Sequence, residues 1–331
     1  KSFWEHSIVS DLAKSYFNNL ISLNFKFLGS CIIGFGILRI ICGGGVLIPL
    51  VMIVLGVLMT ISKLNFSDFL SGSKILGFLL RCFGFSPDFN FYKKETNSKK
   101  SIIIGLLTGA FAGVAFLKLS VIALLIPFGI FGVLLVLKYP LIGVIAAVFA
   151  APLVSTMMLA AICIFTFMAL FISKSVKGDY EWKTTGVGTL LVLLLGVFMV
   201  SNIFSFDVKK SLMVWAMYAV FFGFYFVVIN TVKTKEEFFT LLKFFVIAGV
   251  IVAVYGILQY VFKWNTSNAW IDKEMFEEAT MRAYSTMENP NVLGEYLLIL
   301  LPVAGIFMLS PNTEKISKWV YMGIFALAAV C

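Results

Sequence analysis

Apolar runs of 13–23 residues recur along the chain, about eleven of them, separated by short polar links. A helix that crosses a bilayer needs roughly 20 mostly apolar residues, because each residue rises about 1.5 Å through a core about 30 Å thick. Composition agrees. Of 331 residues, 60% are hydrophobic and 13% charged, and the mean hydropathy is +1.00. A soluble domain is about 45–50% apolar and about 25% charged. These figures exclude a soluble enzyme, a disordered chain and a nucleic-acid-binding domain. The expected fold is all-α: a polytopic transmembrane helix bundle of about 10–11 membrane segments with interfacial amphipathic helices, and the lipid bilayer as its first partner.

The formal charge of +9 invites a nucleic-acid or acidic-lipid partner. The simpler cause is that Lys and Arg collect in cytoplasmic loops. Cys31, Cys42, Cys82, Cys163 and Cys331 have no metal-ligand spacing, and the only histidine, His6, has no ligating neighbour. No metal and no cofactor are expected. The chain opens on Lys1 and stops at Cys331, inside the apolar run that begins at Trp319. It is therefore expected to be a fragment cut at both ends, and it shows no signal-peptide cleavage pattern.

Six stretches follow. Residues 1–26 are amphipathic and suit the cytoplasmic membrane surface. Residues 27–62 are apolar but broken by Gly43-Gly44-Gly45, and form either a helical hairpin or one kinked segment, with Arg39 inside. Residues 63–101 combine an amphipathic helix carrying Asp68, Lys74 and Arg81 with a basic loop from Lys93 to Lys100. Residues 102–262 form the transmembrane bundle. Residues 263–291 are a long polar loop. Residues 292–331 return to membrane helices.

Placing loop 63–101 in the cytoplasm and alternating puts nineteen of the 26 basic residues inside and six outside, with Arg39 in between. That bias favours this topology over its inverse. It makes the N-terminus cytoplasmic and loop 263–291 extracytoplasmic. This loop is acidic, with Asp272, Glu274, Glu277, Glu278 and Glu288 against Lys263, Lys273 and Arg282. It is the longest loop on its side, and loops on a rigid scaffold tend to carry function.

The loop ends in Arg282-Ala-Tyr-Ser285-Thr286-Met-Glu288-Asn289-Pro290-Asn291. Asn289 suits an N-cap and Pro290 the first helical position, where the missing N–H is no loss. A helix start favours anions. The Arg282 guanidinium can clamp a phosphate through two bonds. Ser285 and Thr286 add hydroxyl donors. The constellation suits a phosphate or pyrophosphate seat at the outer surface. The alternative is that Asn289-Pro290-Asn291 only caps a helix and Arg282 pairs with Glu278 or Glu288.

The stretch from Tyr255 to Tyr296 resembles the O-antigen ligase and polymerase superfamily of bacterial membrane proteins. The matching pieces are Tyr255-Gly-Ile-Leu-Gln259-Tyr260, Trp270-Ile-Asp272, Arg282 with Tyr284-Ser285-Thr286, and Asn289-Pro290-Asn291 with Leu293, Gly294 and Tyr296. Met287 and Glu288 stand where the family often has Phe-Gly. The resemblance implies a metal-independent, inverting glycosyl transfer outside the bacterial plasma membrane. The donor would be a glycan on undecaprenyl pyrophosphate, and the acceptor a glycan or a cell-envelope anchor. By the same resemblance Arg282 holds the donor pyrophosphate. A second arginine and a histidine of the family would lie beyond Cys331.

Glu295, about one turn into an apolar helix, is the nearby carboxylate with the strongest claim to a catalytic role. The alternative is a solvated or paired helix-end residue. Gln259 is placed to bond to the loop, to a sugar or to a neighbouring helix. Trp270 suits an interfacial belt or a sugar platform, and Asp272 lies beside it. With Ser285, Thr286, Asn289 and Asn291, these complete the expected substrate-binding set. The competing function is a multipass transporter or flippase of lipid-linked glycans, for which the Gly43–Gly45 break, Arg39 and the short segment ending at Pro152 speak. A non-catalytic membrane scaffold would leave the acidic loop unexplained.

Overall fold

The computed structural model describes residues 25–42, 46–61, 74–85, 98–119, 126–264, 282–311 and 313–331. Among these residues the only regular structure is α-helix. The helices are α1 (Phe25–Ile41), α2 (Leu47–Ile61), α3 (Lys74–Cys82), α4 (Ser98–Leu119), α5 (Ile126–Lys138), α6 (Pro140–Ala150), α7 (Thr156–Lys177), α8 (Gly186–Ile203), α9 (Val208–Thr231), α10 (Lys235–Phe262), α11 (Pro290–Leu309) and α12 (Lys315–Val330). The protein is an all-α, multi-pass membrane helix bundle. Among the described residues five helices are long and apolar enough to cross a membrane: α7 over Thr156–Ser175, and α8 to α11. Other apolar segments come as shorter helices, Leu47–Ile61, Ser101–Val114 and Pro140–Ala150. Helix α6 has 11 residues and a length of roughly 16 Å, half a bilayer core. It stops where Ala151–Ser155 turns the chain into α7.

Several expectations fall on residues outside the described set. These are the amphipathic segment up to residue 24 with His6, the glycines 43–45, Asp68, and the basic loop from Lys93 as far as Asn97; the end of that expected loop, Ser98 to Lys100, is instead the start of α4. Helices α1 and α2 flank the three glycines.

The chain divides into two compact units, residues 1–81 with 85–135, and residues 82–84 with 136–331. In the first, α1 packs against α2 and α4 through small residues. A Cβ built on Gly29 would stand 2.5 Å from the Gly56 carbonyl oxygen, and one on Gly56 2.7 Å from that of Gly29. Gly105, Gly109 and Gly113, four apart on α4, meet the α1 backbone at Phe27, Cys31 and Phe35. Close backbone approach of this kind lets membrane helices gain dispersion contact where lipid offers no hydrophobic drive.

In the second unit α10 serves two cores. Val246, Val252 and Ala253 join Leu293, Leu297, Leu300 and Phe307 of α11, and Tyr321 and Ile324 of α12. Leu241 joins Val144, Leu170 and Val227 of α6, α7 and α9. Gly249 touches Leu300 while Gly256 touches Leu293, so α10 and α11 run antiparallel. The helix ends sort into two sets. At one end Lys243 Nζ donates to the Gly84 carbonyl, and Tyr321 Oη to that of Phe83 at 3.1 Å. The opposite end gathers Pro152, Gln259, residues 282–289 and Cys331.

Polarity is inverted relative to a water-soluble bundle. Thr166, Asn230, Gln259, Ser285 and Ser317 are buried, while Leu190, Leu193, Val197, Ile203 and Met213 project outward. Almost none of the apolar length of α8 and α9 is buried. Apolar surface on that scale requires a lipid or protein cover.

Candidate functional site

Helix α10 ends on Phe262, and Lys263 closes it in the left-handed region at φ 55°, its N–H returning to the Gln259 carbonyl. The Trp264 N–H reaches the same oxygen at 3.1 Å. When the described chain resumes at Arg282, the N–H groups of Tyr284 and Ser285 both donate to Gln259 Oε1, at 2.9 Å each. One residue thus receives both stems of the 265–281 excursion, the outgoing stem on its main-chain oxygen and the returning stem on its side chain. Gln259 is wholly buried. A buried N–H left without an acceptor costs about 1–3 kcal/mol, which is why the returning stem docks here.

The next two residues are anchored by their side chains. Ser285, 4% exposed, donates its hydroxyl to the Val252 carbonyl at 2.7 Å. Thr286 donates to the Pro152 carbonyl at 2.5 Å. Both hydroxyls were expected to face an anion; in this structure they face backbone oxygens, so they hold the motif in place. A turn follows, with the Met287 N–H on the Tyr284 carbonyl at 3.0 Å. Ser285 and Glu288 lie at φ 51° and 59°. For residues with a Cβ this region is sparsely populated and persists only where surrounding contacts over-determine it.

Helix α11 starts as its sequence requires. Asn289 is the N-cap, Pro290 occupies the first turn, and Asn289 Oδ1 accepts from the Asn291 N–H at 2.8 Å. The Leu293 N–H returns to the Asn289 carbonyl at 3.1 Å. Asn289 and the Asn291 backbone therefore cap the helix. Among the described residues, the first-turn N–H group of Val292 has no such partner.

Arg282 is exposed at the start of the returning stem and makes no ion pair among the described residues. Glu288, one of its two expected partners, is exposed and unpaired with it. The other, Glu278, lies outside the described residues, as do Trp270 and Asp272. Glu295 is exposed on α11, one turn beyond Asn291. Of the three partners expected for Gln259, the described residues show the loop: its side-chain oxygen accepts from two loop N–H groups, and the residue is wholly buried.

The acceptors Val252 and Pro152 carry no sequence signal. Both contribute only a main-chain oxygen, which any residue carries, so no residue pattern announces them. Gly256 has a steric role here: a Cβ on it would stand 2.8 Å from Cys331 Sγ and 3.5 Å from Ser285 Cβ.

What results is a hydrogen-bonded stem, with an exposed arginine at its start and a capped helix N-terminus at its end. Such a surface favours an anion with paired oxygens. Among the described residues no group of three His, Cys, Asp or Glu side chains gathers to hold a metal. No protein-family model, curated protein or solved structure matches the chain.

Proposed function

We propose that the protein is a membrane glycosyltransferase of the O-antigen ligase and polymerase type. It transfers or polymerises a glycan carried on undecaprenyl pyrophosphate, at the extracytoplasmic face of the bacterial plasma membrane, in the assembly of surface polysaccharide. The acceptor is a sugar hydroxyl on a second lipid-linked glycan or on an envelope anchor. Arg282 binds the donor pyrophosphate and stabilises the negative charge that grows as it departs. Glu295 is the candidate proton acceptor for the attacking hydroxyl.

The observation that carries this is Arg282 itself: an exposed arginine with no ion pair among the described residues, on a stem hydrogen-bonded to Gln259, Val252 and Pro152. Left-handed backbone at Ser285 and Glu288 in the same motif adds to it, because strained residues collect at functional sites. The sequence resemblance from Tyr255 to Tyr296 supplies the reaction class, and the inside bias of Lys and Arg supplies the sidedness.

The test is polymer formation in cells carrying Arg282→Ala. Polymer is expected to disappear while abundance and membrane insertion stay normal, and undiminished polymer would overturn the assignment. Movement of lipid-linked glycan across vesicles without polymerisation would instead support the transporter or flippase.

A further inference from the structure

Gln259 does more in this structure than end a helix. Its main-chain oxygen takes the N–H groups of Lys263 and Trp264, and its Oε1 takes those of Tyr284 and Ser285. Arg282 stands only two residues before Tyr284, so whatever holds the Tyr284 N–H limits where the guanidinium can go. The other half of the amide is idle: Nε2 is buried and has no hydrogen-bond partner among the described residues. Buried amides normally use both halves, so the contribution of this side chain lies in its oxygen.

We infer that Gln259 is the positioning residue for Arg282, acting through Oε1 on the Tyr284 and Ser285 amides. The inference rests on the proposed role of Arg282 for its functional consequence, and on hydrogen bonds alone for its structural one. A glutamine at this position reaches where shorter polar side chains do not, and an oxygen acceptor is the only chemistry required. Glutamate at 259, whether ionised or protonated, keeps an acceptor oxygen at the same reach. Leucine fills similar volume and offers none.

The test uses the full chain in lipid nanodiscs and amide hydrogen exchange over residues 282–288. Wild type and Gln259→Glu are expected to protect Tyr284 and Ser285 alike, and Gln259→Leu to exchange there roughly tenfold or more faster, the scale of two lost hydrogen bonds. Polymer formation is expected to follow: retained with glutamate, lost with leucine. If the leucine variant does not accumulate, Gln259→Asn withdraws the oxygen by one methylene and takes its place. Unchanged exchange in Gln259→Leu or Gln259→Asn overturns the positioning role. So does loss of polymer in Gln259→Glu with protection intact, which would assign the function to Nε2. Polymer that survives Arg282→Ala sinks the transferase assignment instead, and the exchange result still decides who holds the stem.

Discussion

Thr286 donates its hydroxyl to the carbonyl of Pro152, 134 residues earlier in the chain. The bond joins the Arg282 motif to the corner between α6 and α7. Helix α6 stops there after 11 residues, and the buried Pro152 has no N–H with which to extend it. A short helix and a loop motif thus stabilise one another.

Thr286→Val keeps the shape of this side chain and removes the donor. It is expected to cost about 1 kcal/mol, read as a lower midpoint of thermal unfolding in detergent, with Thr286→Ser close to wild type. A valine variant as stable as wild type would mean the bond contributes nothing.

Arg282→Lys keeps the charge and loses the planar fork. Donor binding through two parallel hydrogen bonds should fall by about 1–3 kcal/mol, or roughly tenfold to a hundredfold. Polymer yield from membranes at fixed donor checks this, and a fully active lysine variant would show that only charge is required.

Gly249 lies against Leu300, where an added Cβ would stand 2.5 Å from both terminal methyl carbons. Gly249→Ala should therefore destabilise by about 1–3 kcal/mol through overpacking. Leu300→Ala in the same chain should recover part of it, a non-additivity visible in a double-mutant cycle. Simple additivity of the two would contradict the contact.

Asn230, 6% exposed, accepts from the Lys183 N–H at 2.8 Å and donates to the Lys183 carbonyl at 3.0 Å. The pair ties the α7–α8 link to the end of α9. Asn230→Leu should release it, raising proteolysis of the 178–185 link severalfold in liposomes that expose that face.

Asp179 sits in the same link, and a hydrogen bond from Lys174 at 3.1 Å holds its carboxyl below the usual aspartate range. The shift is downward, so the stabilising effect is present above the ordinary aspartate pKa. It is lost as pH falls through the depressed folded value. Proteolysis of the link should rise only in that acid window, and Asp179→Asn should remove the step. The effect is small, since the pair is exposed to screening.

Much of the scaffold was legible. Apolar runs became helices because hydropathy and length act on each segment alone. Asn289-Pro290 started α11 where cap chemistry requires, since a cap involves only residues within one turn. The approach of Gly105, Gly109 and Gly113 to α1 emerged only in the structure, because a glycine spacing does not name the helix it meets. Ser285 and Thr286 show the limit. Their hydroxyls suited an anion by residue type, and the structure turned them to Val252 and Pro152. An acceptor on the main chain has no residue signature, so only the fold could choose it.

The sequence by itself determined an α-helical membrane bundle, the break after Phe262 and the presence of one arginine beside a helix start. Those follow from local terms: transfer of apolar side chains, helix length against bilayer thickness, and capping within a turn. Tertiary structure decided that Gln259 closes both stems, that Ser285 and Thr286 anchor rather than present, and that Arg282 is left exposed. These depend on which backbone groups meet across 26, 33 and 134 residues of chain. Such meetings are set by helix packing and not by any one segment.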